Sequence, residues 1–290
     1  MNLKEWIKLY YTVYEKINLK PGTLRSYLSC LSRVPEEWEI ETFNRVDLQL
    51  LINKLTDELA SSTVKHIYHV ISKSIREAPC YGYADRSAEL NRVKLPSISR
   101  KLIHSLSESE LNKLFVYINR SVYKDAYIIL LNTGMRFGEL AGLNTSDFDL
   151  QNRTLRIERN YYRGRINQTT KTAAGIRVIP LNKTAFDAVL RNLHVGPGIL
   201  IPNRKGERLK YNTVITDWHN ICDFAGIERC GLHVLRHTFA TQMLTNDVPM
   251  KVVSTLLGHK SITITADIYT DVPLKLKRQA IDKIDLMCFV

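Results

Sequence analysis

The sequence predicts a mainly α-helical protein of two domains, the second of which also contains a small antiparallel β-sheet. The chain has 290 residues, which is long for one compact domain and sufficient for two cores. Apolar residues recur every three or four positions through most of the first hundred residues, as in amphipathic helices. Alternation of polar and apolar residues, which is typical of strands, predicts the sheet in two short stretches, 154–159 and 176–179.

The first domain, residues 1–95, is predicted to contain four or five short helices. The clearest helical patterns cover residues 2–19, 23–34, 45–59 and 62–77. Lys20-Pro21-Gly22 interrupts the first pattern, so Thr23 is expected to cap the second helix, which Pro35 terminates.

A linker is predicted over residues 96–106, where helical periodicity lapses and basic and hydroxyl residues accumulate. Ser107 and Glu110 then match a capping box, which indicates that a new helix and a new domain begin there. This second domain is expected to span residues 107–275 and to leave residues 276–290 as a C-terminal tail.

The second domain combines helices with one predicted hairpin. Helices are expected at about 107–118, 122–133, 182–193 and 211–225. Gly134 should end the second of these, which places Arg136 near the N-terminus of the next helix. The two alternating stretches predict a small antiparallel sheet with Lys171 near its turn. Ile262 to Thr265 alternates like a strand, but Ser261 is also suited to cap a helix.

Composition indicates a polyanionic partner. The formal charge of +12 favours binding to nucleic acid, because Lys and Arg gain affinity by releasing counterions from a phosphate backbone. No apolar run is long enough to span a bilayer, and the N-terminus does not resemble a secretory leader. Five cysteines without a CxxC pair argue against a disulfide framework or a structural zinc site, so a cytoplasmic setting is expected.

Several residue types needed for phosphodiester chemistry lie between residues 231 and 270. His233 and Arg236 share one face of a predicted helix, and His259 and Tyr269 follow. Covalent cleavage of a phosphodiester requires a nucleophile, charge stabilisation at the non-bridging oxygens and an acid for the leaving oxygen. A tyrosine, paired guanidinium groups and a lysine can provide these functions.

Other residues of the same types have a structural interpretation. His237 and the histidines outside this set are expected to be ordinary packing residues. Tyr161 and Tyr162, beside Arg159 and Arg163, either contact DNA or pack against the sheet.

The order of the motifs resembles the tyrosine recombinase (phage integrase) family. The resemblance covers about residues 105–275 and rests on these segments: TGMRFGEL at 133–140, Lys171 before IPL at 179–181, HVLRHTFA at 233–240, LGH at 257–259, and Tyr269. Residues 1–95 resemble the family's helical core-binding (SAM-like) domain, chiefly through LKPGTLRSYLS, and residues 107–275 its catalytic domain.

The resemblance implies a role for each of these residues. Arg136 and Arg236 would bind the scissile phosphate, and Lys171 would protonate the leaving group. His233 and His259 would assist, with Glu139 orienting Arg136. Tyr269 would form a 3′-phosphotyrosyl link, and neither metal nor ATP would be required.

The family also implies an assembly on DNA. Its members clamp duplex DNA between their two domains, act as a homotetramer on two paired sites and in some cases use accessory DNA-bending or directionality factors. The tail, residues 276–290, would either dock on a neighbouring protomer or pack on its own domain. Two other functions remain open from the sequence: DNA relaxation like that of a type IB topoisomerase, and DNA binding without catalysis. The biological role, whether integration, excision, transposition or dimer resolution, is equally open.

Overall fold

The computed structural model describes residues 1–98, 105–168, 175–193 and 198–261, together with Thr263 and Ala266. The chain divides into two compact units, Met1–Lys101 and Leu102–Val290. Each unit contains its own cluster of buried apolar side chains. Within the described residues both units are mostly helical and the second contains small antiparallel sheets, which confirms the predicted helical fold class with a small sheet.

Unit 1 is helical throughout its described regular structure. Its helices are α1 (Leu3–Leu9), continued by a π-helical turn (Tyr10–Tyr14), α2 (Pro21–Ser29), α3 (Arg45–Glu58) and α4 (Ser61–Glu77). The aromatic side chains of α1 and the π-helical turn fix these elements against α4, because Trp6 Nε1 donates to Ser74 O at 3.0 Å and Tyr11 Oη donates to Val70 O at 3.0 Å. The buried aromatic groups therefore contribute apolar area and also satisfy their polar atoms.

The start of the second helix differs from the sequence prediction. Helix α2 begins at Pro21 with Lys20 as its N-cap, so Thr23 lies inside the first turn and is not the capping residue. Proline is favoured at the first helical position because its fixed φ matches the helix and its missing N–H would have no partner there. The Lys20-Pro21-Gly22 segment is thus the beginning of a helix.

Unit 2 alternates helices with short strands. Its helices are α5 (Glu108–Ile118), α6 (Lys124–Thr133), α7 (Phe137–Gly142), α8 (Lys183–Leu193), α9 (Tyr211–Ala225), α10 (His233–Thr245) and α11 (Met250–Leu257). The predicted capping box is confirmed: Glu110 N–H donates to Ser107 Oγ, and Ser107 N–H donates to the Glu110 carboxylate. The predicted helix end at Gly134 is also confirmed, and Gly258 ends α11 in the same way, since both glycines have positive φ.

The sheet is more elaborate than predicted. Strands β1 (Phe148–Asp149), β2 (Thr154–Ile157) and β5 (Arg177–Pro180) form a three-stranded antiparallel sheet in the order β1-β2-β5. Strands β3 (Arg159–Tyr162) and β4 (Arg165–Gln168) form a separate antiparallel pair, which the sequence analysis missed. Their connection, Arg163-Gly164, has positive φ at both residues, as a two-residue type I′ hairpin requires.

Strand β3 fixes the position of helix α7. A β-carbon on Gly138 would lie 3.2 Å from Tyr161 O, and one on Gly142 would lie 3.1 Å from Arg159 O. These two glycines are one helical turn apart, so the helix lies directly against the strand backbone. Tyr161 packs against the core of unit 2, as the packing alternative predicts, whereas Tyr162 is 56% exposed and does not pack in this way.

Among the residues that the structure describes, no helix combines the length and apolarity that a bilayer span requires.

Candidate active site

The first part of the site is the turn between α6 and α7. Gly134 ends α6 in the left-handed conformation, and a β-carbon there would lie 2.4 Å from Phe239 Cδ1 and 2.8 Å from Leu257 Cδ2. Only glycine fits this position without rearrangement of α10 or α11. The turn places Arg136 at the N-cap position of α7, close to the helix N-terminus as the sequence predicts.

Glu139 holds Arg136 through two contacts. Its carboxylate accepts from Arg136 N–H at 2.8 Å and from Arg136 Nη1 at 3.0 Å. An arginine side chain cannot accept a hydrogen bond, so only the Glu139 half of a capping box can form here. The Arg136 side chain is 45% exposed while the Glu139 side chain is 4% exposed. The carboxylate is therefore a buried support, and the guanidinium it orients is accessible to a ligand.

Glu139 also receives a second arginine, Arg177 of strand β5. Arg177 Nη2 donates to Glu139 Oε2 at 2.7 Å. Burial alone raises the pKa of the Glu139 carboxyl, but the ion pair with Arg177 and the bonds from Arg136 outweigh burial and hold that pKa below its ordinary value. The carboxylate is thus ionised at neutral pH.

Arg236 is buried on α10 and held by backbone carbonyls. Its Nη1 donates to Gly134 O at 2.8 Å and its Nη2 donates to Leu257 O at 2.7 Å. These carbonyls lie at the C-terminal ends of α6 and α11, where the helix dipole concentrates negative charge. The arrangement fixes the plane of the guanidinium and joins three helices at one point, two residues from Arg136 along the α6–α7 turn.

Two histidines lie within the electrostatic reach of these arginines. His233 is the first residue of α10 and its side chain is exposed, whereas His259 is half-buried just beyond the end of α11. Desolvation, followed by the charge of Arg236 and then Arg136, lowers the pKa of His259 to about 4. Desolvation and the nearby charges of His237, Arg236 and Arg136 lower the pKa of His233 to about 4 as well.

Both imidazoles are consequently neutral at pH 7, so each can donate one hydrogen bond or accept one. His233 faces solvent, where water screens the nearby charges. The ring of His237, which the sequence analysis assigns to packing, lies edge-on to the His233 ring at 4.9 Å.

The described residues include five of the seven predicted site residues. Arg136, Glu139, His233, Arg236 and His259 come together, although Glu139 and His259 are separated by more than a hundred positions. Lys171 and Tyr269 lie outside the described residues, as does the predicted tail 276–290. Just before Tyr269, Thr263 and Ala266 are helical, and Thr263 N–H donates to Ser261 Oγ at 3.1 Å. This contact is the one an N-capping serine makes.

Arg177 is the site residue that the sequence analysis missed. The 176–179 stretch contains three aliphatic residues, and Val178 is 53% exposed while Arg177 is buried on the inward face with Ile179. An arginine in the inward register of a strand is itself a signal, since a buried guanidinium needs a carboxylate partner.

The arrangement suits a tetrahedral anion. The Arg136 guanidinium is accessible, the Arg236 guanidinium is held rigidly, and both charges act on the neutral imidazole of His259. Guanidinium forks match the oxygen spacing of a phosphate. Within the described ranges, no group of three or more His, Cys, Asp or Glu side chains could hold a metal ion.

Residues 104–274 match the sequence model of the phage integrase family. The tyrosine recombinase XerA of Pyrococcus furiosus is 29% identical over 292 residues, a match that covers 98% of this chain and 95% of that protein. A XerC-like tyrosine recombinase of Caldanaerobacter subterraneus is 26% identical over 281 residues, covering 85% of this chain and 72% of its own length.

Two solved structures have the same fold. The Tn1549 transposon integrase in complex with transposon right end DNA has a TM-score of 0.82 at 18% identity, covering 98% of this chain and 99% of that one. A lambda integrase tetramer bound to a Holliday junction has a TM-score of 0.71 at 22% identity, covering 91% and 79% of the two chains. At these identities the similarity concerns the fold alone.

Proposed function

The chain belongs to the phage integrase family and is a tyrosine-type site-specific recombinase; on that premise we propose that Arg136, Arg236, His233 and His259 form its phosphate site and that Tyr269 is its nucleophile. One observation supports the proposal. Arg236 donates to Gly134 O in the α6–α7 turn that also contains Arg136, so the backbone of this turn positions both arginines. DNA relaxation as by a type IB topoisomerase is not favoured, since the relatives are recombinases and integrases.

The proposed reaction conserves the energy of the phosphodiester. The Tyr269 oxygen attacks phosphorus, the bond from phosphorus to the 5′ oxygen breaks, and a 3′-phosphotyrosine remains. A neutral imidazole, His233 or His259, takes the phenol proton, and Lys171 gives a proton to the departing 5′ oxygen. The guanidinium groups of Arg136 and Arg236 stabilise the charge on the non-bridging oxygens. Attack by the 5′-hydroxyl of a partner strand reverses these steps on a new strand.

The proposal includes duplex DNA as the partner. The net charge of +12 supports this, as do structural neighbours described as integrases in complex with DNA. We further propose a homotetramer on two paired sites, by analogy with the lambda integrase tetramer on a Holliday junction. Accessory DNA-bending or directionality factors, exchange of the tail 276–290 between protomers, and action in the cytoplasm belong to the same proposal.

The test uses nicked duplexes that span the recombination junction, identified by sequencing recombined DNA from a host that carries the chain. A nick beside the cleavage site lets the short 5′-hydroxyl fragment diffuse away and traps the covalent complex. We expect wild-type protein to accumulate this complex and Tyr269→Phe to bind the duplex without forming it. A complex that persists in Tyr269→Phe would show that another residue is the nucleophile.

A second experiment examines the proposed acid. Lys171→Ala is expected to slow cleavage by about 10²- to 10⁴-fold, the range for loss of a general acid, with little change in DNA affinity. A 5′-bridging phosphorothioate should restore the rate, because a thiolate leaves without protonation. Lack of rescue would assign the acid to a different side chain.

A further inference from the structure

Arg177 makes contacts that connect two separate parts of the site. Its Nη2 and Nη1 donate to the two oxygens of Glu139 at 2.7 and 3.3 Å, and its Nε donates to Leu256 O at 2.6 Å. The two contacts to Glu139 form the bidentate fork that gives an arginine–carboxylate pair its defined orientation. Glu139 is the carboxylate that orients Arg136, so Arg177 is one contact away from a proposed phosphate ligand.

The contact to Leu256 connects Arg177 to the other half of the site. Leu256 and Leu257 are the last two residues of α11, and their successive carbonyl oxygens accept from Arg177 and Arg236 respectively. His259 follows two residues later. The charge of Arg177 is also among those that lower the pKa of His259.

Arg177 donates to protein acceptors through all three of its guanidinium nitrogens, so we assign it no contact with the substrate. Its side chain is 5% exposed, compared with 45% for Arg136. Replacement of both partners of a buried ion pair by apolar side chains is often neutral for stability, so stability alone does not explain why this pair is present, although removal of Arg177 alone would leave the Glu139 charge uncompensated. Its geometry instead links the carboxylate behind Arg136 to the helix end that holds Arg236 and precedes His259.

We propose that Arg177 is a positioning residue for strand cleavage, which sets the distance between Arg136 and the α11 end by holding Glu139 and Leu256 together. The inference rests on the proposed function of this site. It predicts that loss of Arg177 affects the chemical step far more than DNA binding, because small displacements of catalytic groups reduce the rate steeply.

The test measures single-turnover formation of the covalent complex on the nicked duplex, together with DNA affinity. Arg177→Met is expected to slow the reaction by about 10- to 100-fold, a misplacement effect, and to change the affinity by less than about three-fold. Arg177→Lys keeps the charge but not the fork, so it should recover part of the rate. Arg208→Met is the matched control: Arg208 is half-buried and donates to the carbonyls of Ala141 and Leu143, away from α11.

The second measurement is the pKa of His259, followed by NMR. Removal of the Arg177 charge, which also leaves the Glu139 carboxylate less compensated, should raise that pKa in Arg177→Met, with a smaller rise in Arg177→Lys and none in Arg208→Met. A wild-type protein that forms no covalent complex contradicts the proposed function. If the wild type is active and Arg177→Met cleaves at the wild-type rate, the inference about Arg177 is overturned. An unchanged pKa of His259 in Arg177→Met also overturns it.

Two further outcomes have defined meanings. If Arg208→Met slows cleavage as much as Arg177→Met, the effect is general loss of structure and the inference is overturned. If Arg177→Met does not fold, as judged by circular dichroism, Arg177→Lys decides: slowed cleavage with retained affinity supports the positioning role, and a wild-type rate overturns it.

Discussion

At the residue scale, the low pKa of His259 makes the stability of the protein depend on pH. The folded-state pKa is about 4 and the ordinary value is 6.5, so between these values only the unfolded chain binds the proton. The stability that depends on neutral His259 should be fully present above pH 6.5 and should decrease as the pH falls toward 4. The stability that His259 loses between pH 7 and pH 4.5 is on the order of 2 kcal/mol at most, because solvent around the half-buried ring screens the charges that act on it.

The measurement is urea denaturation at pH 7 and pH 4.5 for wild type and His259→Gln. Carboxylates contribute to the pH dependence of both proteins, so the difference between the two proteins isolates His259. We expect the variant to lose less stability on acidification than wild type does. Equal losses would mean that His259 has an ordinary pKa in the folded protein.

Motif residues were predictable because their chemistry and spacing are local. Arg136 and Glu139 lie three positions apart at a helix start, and His233 and Arg236 lie three apart on one helix face. The contacts of Arg177 were not predictable in this way. They join residues 38 and 79 positions apart, and a strand pattern gives the face of a residue without naming its partner.

At the element scale, Gly134 combines two constraints that can be separated by comparison with Gly226. Both glycines end helices with φ near +65°, but a β-carbon at Gly226 meets nothing within 4 Å, whereas one at Gly134 meets Phe239 and Leu257. Gly226→Ala should cost about 1 kcal/mol for the left-handed backbone. Gly134→Ala should cost about 2 to 4 kcal/mol, because crowding is added.

Urea denaturation of the two variants gives the comparison directly. Gly134→Ala should also reduce cleavage, since the Gly134 carbonyl accepts from Arg236. Gly226→Ala should leave cleavage unchanged. Equal destabilisation by both substitutions would show that the contacts around Gly134 relax freely.

The β3–β4 hairpin presents a basic edge to solvent. Residues 159–168 contain three arginines and no acidic residue, and Tyr162 is exposed. Arg163 occupies a φ of +48°, a strained conformation for a residue with a β-carbon, in a turn position that favours Asn, Asp or Gly. We expect the exposed Arg163 side chain to contact a DNA phosphate.

Arg163→Asn is therefore expected to have opposite effects on folding and on binding. It should stabilise the fold by up to about 1 kcal/mol, because asparagine tolerates this conformation, and weaken DNA affinity by about three- to ten-fold with a shallower salt dependence. Lys183→Ala, which removes an exposed cation from α8, serves as the control. Unchanged affinity and salt dependence in Arg163→Asn would exclude the hairpin turn from the DNA contact surface.

Element boundaries followed the sequence wherever a local signal fixed them. The capping box at Ser107 and the glycine ends of α6 and α11 are such signals. The β3–β4 hairpin was missed because Arg163-Gly164 is an unusual pair for a type I′ turn. Thr23 is not the cap because Pro21 acts as the first residue of α2 and not as a helix breaker, the two roles of proline that the sequence alone does not distinguish.

At the scale of the whole molecule, the positive charge and the proposed site lie mainly in the same unit. Residues 1–100 contain 15 basic and 12 acidic side chains, and residues 101–290 contain 26 and 17. All seven proposed site residues are in the second group. The buried apolar cluster of unit 2 draws its members from residues 106–235, and that of unit 1 from residues 3–90.

Because each unit has its own core, a fragment that comprises residues 105–290 is expected to fold and to keep the cleavage chemistry. It should form the covalent complex on the nicked duplex, but with DNA affinity reduced by at least about ten-fold, since the fragment lacks the phosphate contacts that the family resemblance implies for unit 1, each of which would contribute counterion release. Circular dichroism reports folding, and titration at several salt concentrations reports affinity. The same fragment with Tyr269→Phe should bind without reacting. An unfolded fragment would show that unit 2 does not fold independently. A fragment that binds DNA as tightly as the full chain, with the same salt dependence, would show that unit 1 does not contribute to DNA affinity.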